Sequence, residues 1–291
     1  MADTWEQLLG ADRLTAVVDI GANPIDGDPP YADMLRAGLC TVTGFEPQDD
    51  ALQQLLAAAG PLERYLPHAI GDGAEHELKV TWMPGMTSLL EPDPERLSAL
   101  NEFARYGEVL HRIPVRTTRL DDVPDLGRVD LLKIDVQGSE LSVFSHGRAT
   151  LARAVAVHTE VSMVPLYVDQ PLFGEVDAEL RAQGFALHTF AAIKRWPIAP
   201  AVFDGDIFGG HAQVIEADVV YVKDVGRLAE LDTEQLTHLA LLAHSVYGSS
   251  DLVVRCLLQL VADGAVDQRV VGAYAESIGR SVTTDGVRSD R

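Results

Sequence analysis

Four short apolar runs in this chain each end at a carboxylate. They are Ala16-Val17-Val18-Asp19, Val42-Thr43-Gly44-Phe45-Glu46, Leu131-Leu132-Lys133-Ile134-Asp135 and Val155-Ala156-Val157-His158-Thr159-Glu160. Short β-branched runs of this kind read as buried parallel strands. In an open α/β sheet, ligands bind at the carboxyl ends of the strands, near the point where strand order reverses. Four acids gathered on that edge would suit a cation or a polyol and would repel a free phosphate.

The first strand end tests what kind of ligand that is. A dinucleotide site needs three glycines in G-x-G-x-x-G, so that a pyrophosphate can rest on a helix N-terminus. After Asp19-Ile20-Gly21 the second position is Asn23 and the third is Asp26. The tight turn at Gly21 survives, but the phosphate cradle does not. Glu46, at the end of the second strand, can accept two hydrogen bonds from a ribose diol; alone it could equally be a solvated strand-end acid. Taken together, the two features indicate a nucleoside ligand without phosphates. S-adenosylmethionine is the common one, and its positive sulfonium suits an acidic edge.

The sharpest local segment is Asp130-Leu131-Leu132-Lys133-Ile134-Asp135-Val136-Gln137-Gly138-Ser139-Glu140-Leu141. Strand alternation puts Lys133 and Asp135 on one face, opposite Ile134. A lysine in an apolar strand is costly unless paired, so a structural ion pair is one reading of Lys133. Gly138 permits a tight turn, and Glu140 falls in the first turn of the following helix, where its charge is favourable.

The elements that must position these residues follow from periodicity. Strands at 14–20, 40–45 and 64–70 alternate with helices at 31–37 and 49–59, the β-α-β-α-β rhythm of a parallel sheet covered on both faces. The rhythm breaks at an insertion, about 73–128, with extra strands at 77–82 and 109–120 and a helix over 94–106. The fourth core strand is 130–134, the fifth 155–161, and a helix over 173–183 follows. Strands at 185–190 and 219–222 complete a seven-stranded, mostly parallel sheet, with residues 191–217 as an antiparallel hairpin carrying a large loop. From residue 226 the pattern is helical. Asp232 and Gln235 have capping-box spacing, Leu236, Leu239, Leu242, Ala243 and Val246 recur at helical period, and two more helices follow. The expected units are 1–225, the sheet with its insertion, and 226–291, a helical extension whose tail from Thr283 is expected to be disordered.

Composition narrows the partners. The net charge of −21 gives no electrostatic help in binding nucleic acid or an anionic membrane, so neither is expected as a partner. The two cysteines, Cys40 and Cys256, form no CxxC, and a reducing compartment fits them. The N-terminus lacks a basic-then-apolar signal pattern, and no apolar stretch approaches the roughly 18–20 residues that span a bilayer. A cytoplasmic protein is expected.

Asp19-Ile20-Gly21-Ala22-Asn23, Phe45-Glu46-Pro47, Leu120-Asp121-Asp122, the segment 132–141 and Gln183-Gly184-Phe185 occur in the order seen in FkbM-type methyltransferases, which residues 14–190 resemble. Gln137 departs from the pattern, standing where many members have Glu. The resemblance implies a class I (Rossmann-like) methyltransferase fold and methylation of hydroxyl oxygens on sugars or natural-product scaffolds, with S-adenosylmethionine as donor. It implies that Asp19, Gly21 and Asn23 line the methionine part of the cofactor, that Glu46 holds the ribose, that Ala69, Ile70 and Asp72 lie near adenine, and that Asp135 sits beside the sulfonium and the acceptor. Candidates for the base that takes the hydroxyl proton are Asp135, His158 and Glu160. Asp135 and Glu160 could alternatively share Mg²⁺. Thr87, Ser88, Tyr167 and Gln170 could contact a small-molecule or glycan acceptor, and Trp82 and Trp196 could stack on a sugar ring. The helical extension could cover the pocket or form a homodimer. A non-catalytic module that recruits a partner is the alternative from another class, and a dehydrogenase is a third.

Overall fold

A computed structural model describes residues 4–23, 27–210 and 213–281. Pro24, Asp26 and the tail from Thr283 lie outside these residues. In chain order the structure runs α1 (Trp5–Leu9), β1 (Thr15–Ile20), α2 (Ala32–Arg36), β2 (Cys40–Phe45), α3 (Asp49–Ala58), β3 (Glu63–Leu66), β4 (Ala69–Ile70), β5 (Glu75–Thr81), α4 (Pro94–Ser98), α5 (Phe103–Tyr106) and β6 (Val109–Thr118). It continues with β7 (Leu131–Ile134), α6 (Glu140–Ser145), α7 (Arg148–Leu151), β8 (Ala156–Ser162), α8 (Phe173–Ala182), β9 (Phe185–Trp196), β10 (Gln213–Lys223), α9 (Thr233–Ser245), α10 (Ser250–Ala262) and α11 (Arg269–Ser277).

The main sheet has the order β3-β2-β1-β7-β8-β10-β9. Strands β3, β2, β1, β7 and β8 are parallel, and β10 runs antiparallel to both β8 and β9. This is a class I methyltransferase topology. Strand order reverses between β1 and β7, which pair from Val17↔Leu131 to Ile20↔Ile134, so the ends of those two strands form the switch point.

The expected third strand is split. Pro67 lacks the N–H that would continue the ladder, so β3 stops at Leu66. Ala69–Ile70 instead pair with β6 in a second, three-stranded sheet, β4-β6-β5. The expected helix over 94–106 is two short ones. The closing hairpin is mostly strand: β9 continues to Trp196 and β10 begins at Gln213. The apolar Phe190–Ile193 run extends the ladder further than the polar residues around it suggest.

Alternation divides the sheet's side chains between two cores. Val17, Val42, Leu131, Val155 and Val220 face one way, against α1, α2 and the C-terminal helices. Val18, Phe45, Leu132, Val157 and Val219 face the other way, against Val143, Phe144, Leu151 and Leu180. A third cluster, including Met86, Leu97, Phe103 and Tyr167, fixes the insertion. Within the extension Leu236, Leu239, Leu242, Leu257 and Leu260 are fully buried. Burial of each such side chain stabilises by about 1.5–3 kcal/mol, so α9 and α10 are integral to the sheet core. The capping box forms as expected, with Asp232 accepting the Gln235 N–H at 2.8 Å. No helix among the described residues is long and apolar enough to cross a membrane.

Candidate active site

A cavity of about 530 Å³ opens at the carboxyl ends of β1, β2, β7 and β8. Its size suits a nucleoside-sized ligand with room for a small acceptor. Asp19, Gly21, Asn23, Glu46, Ala69, Ile70, Asp135, His158 and Glu160 all line it, as do Thr87 and Ser88 from the insertion.

The expected Asp72 does not reach the wall. Its carboxylate turns into the β4–β5 connection, where it accepts the Ala74 N–H at 2.8 Å and contacts His76 and Thr117. These partners hold it below the usual carboxylate range. Tyr167 and Gln170 also lie off the wall. The Gln170 amide ties Leu166, Tyr167 and Ser162 together, and the Tyr167 hydroxyl donates to the Met86 carbonyl at 3.0 Å. Trp82 stacks on Tyr106, and Trp196 donates to the Asn101 carbonyl at 2.7 Å, so both indoles serve the insertion rather than the cavity. No described residue beyond 225 lines the cavity either, and α9 to α11 do not cover it.

At the β1 end, Asp19 is 1% exposed. One of its oxygens accepts the Tyr31 hydroxyl at 2.6 Å, and the other lies 3.2 Å from the Lys133 ammonium without a well-directed hydrogen bond. Burial pushes Asp19 up, against the pull of Lys133 and Tyr31. Lys133 therefore is the ion pair its sequence context required. Burial opposes its charge, but Asp19, Asp135 and Glu160 outweigh burial and hold the proton. Gly21 has φ +75°, and a Cβ there would lie 2.0 Å from the Asp135 carbonyl oxygen. Only glycine lets β1 and the end of β7 approach this closely.

Glu46 is 3% exposed and faces the cavity. It accepts the Gln48 N–H at 2.8 Å and is also drawn on by the Gln48 side chain, and a carboxylate's roughly four lone-pair sites leave acceptor capacity for a diol. Burial raises its proton affinity.

At the β7–β8 end, Gln137 turns its side chain back over the strand ends with φ +53°. Its amide nitrogen donates to Asp135 Oδ1 and to Glu160 Oε2, both at 2.8 Å. The Ser88 hydroxyl donates to the Gln137 carbonyl at 2.6 Å, and the buried Glu140 accepts the Val136 and Gly138 N–H groups, so the turn is held from both sides. Burial pushes Glu140 up to about 7. Glu160 is 4% exposed, and its other oxygen meets Lys194 Nζ at 2.5 Å. Burial, Asp135 and Glu216 push Glu160 well above the carboxylate range, while Lys194 pulls it back.

Two expectations change here. His158 lines the cavity, but burial and Lys133 lower it to about 4, so its imidazole is neutral and a weak base at pH 7. Asp135 and Glu160, paired in sequence as a Mg²⁺ site, are bridged instead by the Gln137 amide. No cluster of three or more metal-ligating side chains occurs among the described residues.

Lys194, Gln48 and Asp218 also line the cavity and were not legible as site residues. Lys194 carried one signal: like Lys133, it sits in an apolar run of a strand.

The cavity gathers carboxylates from four strand ends, its two ammonium groups, Lys133 and Lys194, are each paired with one of those acids, Glu46 is buried at the end of β2, and the switch point is glycine-tight. Residues 19–187 match the methyltransferase FkbM domain. No curated protein matches the chain. Similar solved structures include the magnesium protoporphyrin IX methyltransferase of Synechocystis PCC 6803 with bound S-adenosylmethionine, 11% identical over 76% of this chain and 75% of that one, TM-score 0.36. The TehB-like methyltransferase of Corynebacterium glutamicum is 12% identical over 76% and 87%, TM-score 0.35. The precorrin-6y C5,15-methyltransferase of Geobacter metallireducens is 10% identical over 76% and 86%, TM-score 0.36. The family match begins at the buried Asp19 and takes in both the Glu46 turn and the Asp135–Glu160 end of the cavity, and the chain belongs to the FkbM family of S-adenosylmethionine-dependent methyltransferases.

Proposed function

We propose that the protein methylates a hydroxyl oxygen of a small polar acceptor, a sugar or a hydroxylated natural-product scaffold. The observation that carries this reading is the pair of carboxylates, Asp135 and Glu160, held together by one amide at the end of the cavity. A hydroxyl is a poor nucleophile until its proton is taken, whereas a neutral amine needs no base to attack. A buried carboxylate with raised proton affinity is the group that task calls for.

S-adenosylmethionine supplies an electrophilic methyl group: as the C–O bond forms, the C–S bond breaks with its electron pair left on sulfur, and the hydroxyl proton must be accepted. Asp19, Gly21, Asn23 and Glu46 would hold the cofactor, with Ala69 and Ile70 as the apolar wall near its base. Asp135 would orient the acceptor, and Glu160 would take the proton. Ser88 and Gln137 fix the turn that carries Asp135, which limits the loss from misorientation.

The test is incubation of the protein with methyl-labelled S-adenosylmethionine and a panel of sugars, polyols, phenols and amines, followed by mass spectrometry. Label in an ether linkage supports the reading. Label only on nitrogen or carbon overturns it. Failure of the chain to bind the cofactor in titration calorimetry would favour a non-catalytic module.

A further inference from the structure

The acid at the end of β8 has a partner from outside the span that defines the family. Lys194 lies on β9, beyond residue 187, and its ammonium touches Glu160 at 2.5 Å and Glu216 at 4.0 Å. Gln137 reaches the other Glu160 oxygen from the β7 turn. Glu160 is thus gripped from both sides, by a cation from an antiparallel strand and by a neutral donor from the switch point.

The surroundings explain why such a grip is needed. Asp135 faces Glu160 from the end of β7. Glu216 and Asp218 stand on β10, with Asp218 directly paired to Glu160 in the ladder. Glu140 and the buried Tyr167 hydroxyl lie behind, His158 on the same strand is neutral, and Lys133 is committed to Asp19. In a low-dielectric pocket this many carboxylates cannot all stay ionised. Burial also works against the Lys194 charge, but Glu160, Glu216 and Asp135 outweigh it and push Lys194 up, so the lysine keeps its proton.

We infer that Lys194 is a positioning residue for methyl transfer: its ammonium on one Glu160 oxygen, with the Gln137 amide on the other, orients the acid and favours its ionised form for taking the acceptor's proton. The inference rests on methyl transfer to a hydroxyl. In that step the O–H proton passes to the Glu160 carboxylate as the C–O bond forms, and the methyl-donor sulfur leaves as a neutral thioether. Lys194 touches neither reacting atom. It sets the pH at which Glu160 is ready, so this chain depends on its β9–β10 hairpin as well as on the strand ends within the matched span.

The experiment uses the full chain labelled with ¹³C at glutamate carboxyls, with the Glu160 signal assigned by its loss in Glu160→Gln. The titration midpoint of Glu160 is followed in the wild type, Lys194→Met, Lys194→Arg and Gln137→Asn. Lys194→Met is expected to raise the midpoint by about one pH unit or more, a tenfold or larger gain in proton affinity. Lys194→Arg should restore it, and Gln137→Asn, whose shorter amide cannot bridge both acids, should raise it by less. With an acceptor in hand, the acidic limb of kcat should shift upward in Lys194→Met, with KM for S-adenosylmethionine unchanged. An unmoved midpoint in Lys194→Met overturns the inference. Should that variant fail to fold, an unmoved midpoint in Gln137→Asn does so. Cofactor titration of the same samples separates the two readings: if none of them binds S-adenosylmethionine the methyltransferase reading fails, while the midpoints still decide the role of Lys194.

Discussion

Strand β7 is flanked by two aspartates with opposite situations. Asp130, just before it, is 3% exposed and held at both oxygens: Arg13 grips it with two nitrogens at 2.6 and 2.9 Å, and the Ala16 N–H adds a third bond at 2.7 Å. Arg13 in turn reaches Glu234 on α9, tying the C-terminal helices to the amino end of the sheet. Asp135, just after β7, has one hydrogen bond from a neutral amide and opens to the cavity. Its neighbours Asp19, Glu46 and Glu160 are buried acids whose environments raise their proton affinity. A structural carboxylate is one whose two oxygens are both held by the chain. A functional one is held in place with capacity to spare, and the protein bears the electrostatic cost.

The contrast can be broken most directly at Glu160. Glu160→Gln is expected to lower the rate of S-adenosylhomocysteine formation by about 10²–10⁴-fold, the usual contribution of a positioned base. A rate within tenfold of wild type would put the proton elsewhere, with Asp135 next in line.

At the opposite end, Arg13→Ala leaves Asp130 buried without its cation. Loss of about 3 kcal/mol in urea unfolding is expected, with cofactor affinity unaltered. Weaker cofactor binding at unchanged stability would mean that the amino end is not merely structural.

His158 gives a pH test of the same division. Its folded pKa, about 4, lies below the unfolded value near 6.5. The unfolded chain therefore binds the extra proton, and the stabilisation is present above pH 6.5 and lost as pH falls toward 4. Replacement by Asn should flatten the decline in unfolding free energy across that window by up to about 3 kcal/mol. An unchanged slope would show that the imidazole is not buried in the folded chain.

The smallest effect is expected at Glu46. Glu46→Gln removes a charged acceptor and should weaken S-adenosylmethionine by about 2 kcal/mol, roughly 30-fold, in calorimetry. Affinity within threefold of wild type would detach Glu46 from the ribose.

Much of this was legible from local chemistry. β-branched runs ending at Asp19, Glu46, Asp135 and Glu160 marked both the strands and the edge where they gather. Asp232 with Gln235 marked the start of α9. The misses came where distant residues decide. Pro67 forbids the continuous strand that the Arg64–Ile70 composition suggests. Asp72 is drawn away from the cavity by Thr117 and His76, partners the chain alone does not reveal. Trp82 and Trp196 found aromatic neighbours in the insertion rather than a sugar.

The sequence by itself determined which residues stand at strand ends, because a period of two and a terminal polar residue are properties of a single strand. It also excluded a phosphate cradle, since Asn23 and Asp26 replace the glycines that would form one. Only the tertiary structure decided what surrounds each acid. Proton affinity depends on burial and on charges brought from other strands, and those distances exist only once β7, β8, β9 and β10 lie side by side. That assembly made Lys133 the partner of Asp19, lowered His158, and set Gln137 and Lys194 on either side of Glu160.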